Sequence, residues 1–380
     1  MGLKHDLYLT RKPLAGFAAI GFAWSVYFAQ MPVIKANVAA SDGAYGMVGL
    51  IAAFGAIAAM WLAPLSQRIA GGLALPLGII FLAVGMLGAG GAASLAALTL
   101  GLLIASAGSG VIDVLVNARV SEVEADSGRP LMNLNHALYS FAYAGGALAT
   151  GAFREAELSP LPIFAVLCAV LALLAWAASG ITPEIASADD DTPRMPYGVV
   201  YLGGVVVLVA FLAEASSEGW SALHLERTLG GTPGEGALGP ALLGLTMGIG
   251  RLFGHALSRY VRDTTLMLLA VILSATGMTI AGLAPSVGIA LAGFALAGLG
   301  ISVVAPLALA LIGRIVHPSA RLAAISRASV VGYGAFFFGP PLMGFLAEGF
   351  GLRAAFVAVA GLLVVTAAVL IPMLARRAAF

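Results

Sequence analysis

Four polar residues lie at helical spacing inside an otherwise apolar segment, and one of them is an acid. The segment is LTLGLLIASAGSGVIDVLVN, and the four residues are Ser106, Ser109, Asp113 and Asn117. A carboxylate near the centre of a bilayer costs roughly 2.5 to 3.5 kcal/mol on insertion scales, so it faces a protein interior or a wet cavity. A carboxyl group that passes between water and an apolar site binds and releases a proton. Asp113 is therefore a candidate proton-coupling residue.

The next apolar segment carries a second polar stripe, made of Asn133, His136, Tyr139 and Tyr143. Counting from the intervening loop at about 1.5 Å per residue places Asp113 and His136 at comparable depth. Histidine titrates near neutrality and can pass a proton on or hold its charge. The two residues therefore predict a coupling pair, with a static polar cluster that joins two helices as the alternative.

Two more charged residues lie inside apolar segments. Glu214 is the second coupling candidate, and its alternative is an interfacial acid that reaches water at a helix end. Arg251 lies two turns deeper than Arg259, a depth that strains the reach of a snorkelling side chain. Arg251 is expected to neutralise Asp113 or Glu214, to bind an anionic substrate or to lock an inner gate, with purely structural pairing as the alternative.

Composition determines the class of protein. The chain is 61% hydrophobic and 10% charged, whereas a soluble domain has roughly 25% charged residues. Windows of about 19 apolar residues predict twelve membrane-spanning helices. They lie near 14–36, 44–65, 73–91, 94–117, 132–153, 159–180, 198–218, 237–257, 264–283, 287–312, 326–347 and 353–375. The polar stretch ITPEIASADDDTPRMP divides them into six-helix bundles at 1–180 and 197–380, joined by a linker at 181–196.

Loop charge predicts the orientation, because short cytoplasmic loops collect lysine and arginine. One alternating set of loops holds Lys4, Arg11, Lys12, Arg68, Arg119, Arg129, Arg194, Arg259, Arg262, Arg314, Arg321, Arg327, Arg376 and Arg377. The opposite set holds Lys35, Arg154, Arg227 and Arg353. We expect a multi-pass protein with both termini and the linker in the cytoplasm.

The two halves echo each other in sequence. APLSQRIAG, which ends at Gly71, matches GHALSRYV, which ends at Val261, and each places a small residue five positions before an arginine. Further matches pair Gly108-Ser109-Gly110 with Gly298-Leu299-Gly300, and Tyr139 and Gly145 with Tyr333 and Gly339. Such a repeated six-helix unit is typical of transporters that bind substrate at the repeat interface.

The chain has two six-helix halves, a cytoplasmic linker and paired loops after the second and eighth spans. In these features it resembles the major facilitator superfamily over its full length. The loop signature of that family, Gly-x-x-x-Asp-Arg, is degraded here, with Gln67 and Ser258 at the acidic places. The arginines remain as Arg68 and Arg259, which the resemblance implies are gating residues.

Three segments of the chain resemble the bacterial branch near the L-fucose:proton symporters. They are IDVLVN, RPLMNLNHALYSFAYAGG and SSEGWSALHL. That resemblance implies an inner-membrane symporter of a sugar or related metabolite, coupled through Asp113 and working by alternating access as a monomer. A proton-antiporting exporter of drugs or amphiphilic metabolites is the alternative function, and a membrane receptor or assembly protein is a third.

The resemblance also implies a set of substrate-binding residues on the helices that line the family's cavity. Aromatic rings offer an apolar face, and Tyr and Trp add a hydrogen-bond donor, although such residues more often serve ordinary helix packing. The expected set is Trp24, Tyr27, Gln30, Asn117, Asn133, Tyr139, Tyr143, Arg251, Tyr333 and Phe337.

Several function classes are excluded by the sequence. A formal net charge of +1 gives no reason to expect nucleic acid as a partner. The chain contains no HExxH, CxxC or Walker sequence, so we expect no enzyme activity, no metal and no cofactor. The single Cys168 has no intrachain partner for a disulfide.

Overall fold

The computed structural model describes residues 3–180, 195–257, 260–317 and 320–378, and regular structure in these ranges is helical. The helices are α1 (Leu3–Leu9), α2 (Arg11–Asn37), α3 (Asp42–Ala70), α4 (Ala74–Gly90), α5 (Leu95–Ser127), α6 (Met132–Glu155), α7 (Pro160–Ala177), α8 (Tyr197–Leu223), α9 (Pro233–Leu257), α10 (Asp263–Leu283), α11 (Val287–Ile315), α12 (Arg321–Val365) and α13 (Ile371–Ala378). The predicted linker lies outside the described residues, except for Met195 and Pro196.

Two predicted spans share one helix, because α12 continues through a break. Gly351 adopts φ 82° and ψ 161° within it, a conformation that glycine tolerates and L-residues rarely adopt. The part of α12 that follows Gly351 continues through a π-helical turn, Thr366–Leu370, into α13.

Nine stretches of the described chain are long and apolar enough to cross a membrane. Two of these stretches, Asp42–Gly90 and Ala323–Arg377, each cover two of the predicted spans. The polar stripe of α6 lowers its hydropathy, and it lies outside those nine. With α6 added, the arrangement is consistent with twelve spans.

The helices form two bundles, α2–α7 and α8–α13. In the first, α5 packs against α3 and α4, and α2 packs against α6; in the second, α11 packs against α9 and α10, and α8 against α12. The bundles meet where α3 contacts α12, α6 contacts α9, and α2 contacts α8. Polar stripes on these inner faces therefore lie at the junction of the bundles.

Matching glycines bring equivalent helix pairs into backbone contact. A Cβ at Gly85 would lie 2.2 Å from the backbone nitrogen of Ala105, so α4 and α5 touch. A Cβ at Gly277 would lie 2.4 Å from the backbone nitrogen of Ala297, so α10 and α11 touch in the same way. Small residues permit this close approach of membrane helices. The spacing along the chain is the same in both halves, as expected of a repeated unit.

The glycine match proposed from sequence in the fourth and tenth spans is out of register. Gly108 packs against α4 at Leu82, and Gly300 packs against α10 at Ala270, whereas Gly298 packs against α9. Gly300, rather than Gly298, is therefore the counterpart of Gly108. Both segments are rich in small residues, so sequence alone allows the shift.

The two ends of the bundle differ in charge. The arginine-rich end carries α1 and the loops 71–73, 128–131 and 260–262, and the arginine-poor end carries 38–41, 91–94, 156–159, 229–232 and 284–286. At the arginine-rich end, Nη2 of Arg129 donates to Oδ2 of Asp6 over 2.9 Å and holds α1 against the loop after α5. That hydrogen bonding holds the pKa of the Asp6 carboxyl below its usual value.

Candidate functional site

Asn117 joins Asp113 to His136. Its amide nitrogen donates to Oδ1 of Asp113 over 3.1 Å and to the Asp113 backbone oxygen over 2.8 Å. Its amide oxygen lies 3.2 Å from Nε2 of His136, which is the donor because the oxygen can only accept. The two residues predicted as a pair thus share one network and one depth, with Asn117 between them.

The second oxygen of Asp113 faces the other bundle. The hydroxyl of Tyr333, on α12, donates to Oδ2 of Asp113 over 3.4 Å. The Tyr333 ring lies 5.8 Å from that of Phe211 and 6.0 Å from that of Phe336. Phe336, which makes one of these ring contacts, is one residue before Phe337, the residue predicted to bind substrate. Phe337 itself is half-buried. Asp113 therefore lies where the bundles meet.

Arg251 connects the bundles at a second point. Its guanidinium, on α9, donates to the Ser140 hydroxyl on α6 and lies 3.5 Å from the His136 backbone oxygen. Its Nη2 is 3.4 Å from Oε1 of Glu214, and the two side chains are 13% and 15% exposed. Of the roles expected for Arg251, the structure supports pairing with Glu214. Its other side-chain partner, Ser140, was not predicted from the sequence.

The aromatic residues of α2 and α6 form walls above these polar groups. Trp24 donates from Nε1 to the Ser109 hydroxyl over 3.1 Å and stacks on Phe28 at 5.6 Å. Tyr139 and Tyr143 lie 6.2 Å apart, and the Tyr143 hydroxyl is buried with no hydrogen-bond partner among the described residues. The predicted aromatic stripes thus lie at the junction.

Three of the predicted binding residues have different surroundings. The hydroxyl of Tyr27 is 2.5 Å from that of Tyr45 within the first bundle. Gln30 is fully buried, and neither atom of its amide has a hydrogen-bond partner in the described part of the chain. It is two residues beyond Phe28, about 200° around the helix, and so points away from the Phe28 wall. Asn133 is half-buried and has no side-chain hydrogen bond to a described residue.

A buried ion pair closes the arginine-poor end. Arg154, which is 3% exposed, holds Glu226 of the other bundle through two hydrogen bonds of 2.7 and 2.8 Å. Its Nη1 also donates to the backbone oxygens of Ala29 and Pro233. Bidentate arginine–carboxylate pairs are both strong and geometrically specific. This pair therefore connects α6 to the segment that follows α8.

Asp42 makes a second contact between the bundles at this end. Its carboxylate is 2.9 Å from Nζ of Lys35 in its own bundle and accepts hydrogen bonds of 2.8 and 2.6 Å from Arg227 of the other. Glu348 of α12 accepts from the backbone nitrogen of Gly43 over 2.6 Å, where the positive end of the α3 dipole favours an anion. The arginine-poor end is thus joined by several charged contacts.

Two ion pairs among the described residues of the arginine-rich end each stay within one bundle. Arg119 pairs with Glu122, and Arg314 pairs with Asp263. The predicted gating residue Arg68 is exposed and makes no hydrogen bond or ion pair with the described residues. Arg259 lies outside the described residues. In the parts of the chain that the structure describes, charged contacts between the bundles lie at the arginine-poor end, and the gating role of Arg68 and Arg259 stays a prediction.

The sequence contained a signal for Lys35, Arg154 and Arg227, which were not predicted as site residues. The four basic residues of the arginine-poor loops all have defined partners, since Arg353 donates to the backbone oxygen of Ala284 over 2.7 Å and the other three form ion pairs. Basic residues that contradict the loop bias are candidates for specific contacts. Within the described ranges, no group of three or more His, Cys, Asp or Glu residues is placed to hold a metal.

Sequence relatives identify the family. The Major Facilitator Superfamily model matches residues 200–379. An uncharacterized MFS-type transporter of Yersinia pestis is 30% identical over 93% of both chains. The uncharacterized transporter y4wD of Sinorhizobium fredii is 28% identical over 95% of this chain and 96% of its own. The chain belongs to the major facilitator superfamily.

Solved structures share the fold over nearly the whole chain. A bacterial homolog of the human lysosomal transporter Spinster, in an inward-facing and occupied conformation, aligns with TM-score 0.74 and 16% identity over 99% of this chain and 98% of its own. A D-xylose-proton symporter aligns with TM-score 0.72 and 14% identity over 98% and 99%. Its membership of the major facilitator superfamily makes this chain a multi-pass membrane transporter of small molecules and not an enzyme.

Proposed function

We propose that this chain is a proton-coupled secondary transporter that moves a small polar solute across the bacterial inner membrane by alternating access. The observation that carries the proposal is the position of Asp113. A titratable carboxyl group lies within an apolar helix, at the junction of two bundles, with a hydrogen bond from each bundle. Intramembrane ionisable residues of this kind mark ion and proton pathways.

Proton binding at Asp113 changes a contact between the bundles. The ionised carboxylate accepts hydrogen bonds from Asn117 and Tyr333, and protonation converts one carboxyl oxygen into a donor and weakens its acceptance. The Tyr333 contact is thus strongest when Asp113 is ionised. Proton occupancy therefore biases the relative position of the bundles, which is the requirement for coupling.

The contacts at the two ends support the proposal that this state is open toward the cytoplasm. Charged residues join the bundles at the arginine-poor end, and the ion pairs Arg119–Glu122 and Arg314–Asp263 at the arginine-rich end lie within single bundles of the described chain. By the positive-inside rule the arginine-rich end is cytoplasmic, so both termini are inside and this state opens toward the cytoplasm. Alternating access then requires the Arg154–Glu226 and Arg227–Asp42 pairs to break.

The direction of coupling distinguishes the two candidate functions. A symporter of a sugar or related metabolite brings protons in with solute, and an exporter exchanges protons for solute. The acids and aromatic walls suit both. The relation to the L-fucose:proton symporters and action as a monomer stay predictions.

Purified protein in proteoliposomes that contain a pH-sensitive dye tests this function. L-fucose, D-xylose and phenethylamine, the last of these an organic amine, are added outside as probes, and a solute-induced change of internal pH is measured. Internal acidification indicates symport. Alkalinisation indicates antiport only where it exceeds that of protein-free liposomes, into which the neutral form of the amine diffuses and takes up a proton.

The variant Asp113→Asn is expected to lose the pH change but to retain exchange of labelled solute, because the amide keeps the size of the carboxyl group without its proton. The control Asp126→Asn alters an exposed acid near the arginine-rich end. Solute-induced proton flux that persists in Asp113→Asn would remove Asp113 from the mechanism and favour Glu214.

A further inference from the structure

The inner faces of α5 and α8 carry more acid than base. Asp113, Glu214 and Glu218 lie on these helices, and among the described residues Arg251 is the arginine that pairs with an acid there. Arg251 gives its ion pair to Glu214 and a hydrogen bond to Ser140. The junction therefore has more acidic groups than basic partners, and an ionised acid without a partner is costly inside a membrane.

Glu218 is the acid without a hydrogen-bonded partner. It lies one turn beyond Glu214 on α8, is half-buried, and forms no hydrogen bond or ion pair with any described residue. Asp113, by contrast, is engaged by Asn117 and Tyr333. Buried charges are normally paired, so Glu218 has the capacity to pair with a cation that this chain does not supply.

Aromatic side chains lie on the helices that face the Glu218 region of α8. Arg251 links Glu214, one turn before Glu218, to Ser140 on α6. Tyr139 precedes Ser140 in the chain, and Tyr143 lies one turn beyond it. The Tyr143 side chain is 1% exposed, and its hydroxyl has no partner within the described ranges. A Cβ at Gly219, the next residue after Glu218, would lie 3.6 Å from the Phe28 ring. A carboxylate, an unpaired buried hydroxyl and aromatic faces thus lie together.

We propose that Glu218, Tyr139, Tyr143 and Phe28 form a subsite for a protonated amine, so that the transported solute is an organic cation. An amine donates to the Glu218 carboxylate and to the Tyr143 hydroxyl, and its charge is attracted by the ring faces. This inference rests on the proposed transport function. It assigns different roles to two acids: Glu218 binds the solute cation, and Asp113 binds the proton.

Equilibrium dialysis with purified protein in detergent tests the subsite without any gradient. The probes are phenethylamine, a cation at neutral pH, and 2-phenylethanol, a neutral molecule of nearly the same shape. We expect wild type to bind the amine at least tenfold more tightly than the alcohol. Glu218→Gln should remove that preference, and the control Asp126→Asn should retain it, because Asp126 is exposed and remote from the junction.

Several outcomes would overturn the assignment. Equal binding of the alcohol, an unchanged preference in Glu218→Gln, or absence of amine binding at millimolar concentration would each do so. Loss of the preference in Asp113→Asn with retention in Glu218→Gln would move the cation site to Asp113 and also contradict it. Failure of the transport proposal has a different signature, because amine binding would then persist in detergent while proteoliposomes show no solute-induced proton flux.

Discussion

Tyr333 and Asp113 meet across the junction of the two bundles, with the tyrosine hydroxyl 3.4 Å from Oδ2 of the carboxylate. This is a side-chain contact between α12 and α5, and it involves the group that we assign to the proton. A hydrogen bond to a charged acceptor contributes more than one between neutral groups. The pair therefore gives a direct route from proton occupancy to bundle position.

Replacement of Tyr333 by Phe should weaken coupling. Tyr333→Phe removes the hydroxyl and keeps the ring that packs on Phe211 and Phe336. Since hydrogen bonds to charged groups contribute about 1.5 to 3 kcal/mol, solute-induced proton flux should fall roughly tenfold or more while solute exchange continues. Tyr201→Phe is the matched control, because Tyr201 is exposed and stacks on Tyr197. Equal flux in both variants would contradict the role of Tyr333.

The Asn117 bridge predicts that His136 acts on Asp113 through it. We expect His136→Gln to displace the pH profile of proton flux, and we expect that displacement to be smaller in an Asn117→Leu background. A double-mutant cycle measures this dependence, because residues in one hydrogen-bond network are non-additive. Additive effects of the two substitutions would show that His136 acts independently of the bridge.

Breaking the Arg154–Glu226 pair should open the arginine-poor end. Removing one partner of a buried ion pair destabilises the paired state by about 3 to 5 kcal/mol. In a Cys168→Ser background with Ser109→Cys as the reporter beside Trp24, Arg154→Gln should increase labelling by an impermeant maleimide added at that end. The double swap Arg154→Glu with Glu226→Arg should partly reverse the increase.

The matched control for this gate is Arg353→Gln. Arg353 also lies at the arginine-poor end, but it donates to backbone oxygens of its own bundle at Gly282 and Ala284. If Arg353→Gln raised labelling as much as Arg154→Gln, general loosening rather than loss of an inter-bundle pair would be responsible.

Glycine packing between α10 and α11 should be sensitive to one methyl group. Gly277→Ala places a Cβ 2.4 Å from the Ala297 nitrogen, so overpacking should cost about 1 to 3 kcal/mol and lower the thermal midpoint of the purified protein. Gly361→Ala also lies in a helix, but its Cβ meets nothing within 4 Å. An equal midpoint for the two variants would contradict backbone contact at Gly277.

Topology is testable at position 190. We expect a cysteine at Asp190, in the Cys168→Ser background, to react with impermeant reagent only from the cytoplasmic side, because the loop arginines predict that side. Labelling in inverted vesicles but not in intact cells is the expected result. Reaction from the periplasm would reverse the orientation and, with it, the inward-open assignment.

The sequence by itself determined that the protein is a helical membrane transporter. In hydrocarbon each backbone polar group needs an internal partner, so most spans are runs of about 20 apolar residues that are visible locally, and α6 is more polar because of its stripe. Helical rise also placed Asp113 and His136 at one depth. These properties depend on one segment or on two adjacent ones, and the composition of the segments is sufficient to reveal them.

The tertiary structure decided which faces meet. A shift of one residue turns a side chain by about 100° around a helix, which separates Phe336 from the predicted Phe337. A shift of two residues turns it by about 200°, which separates Gln30 from Phe28. Partners such as Tyr333 and Asp113, or Arg154 and Glu226, lie far apart in the chain and belong to different bundles. Their contact depends on how two bundles dock, and no local spacing of residues encodes that geometry.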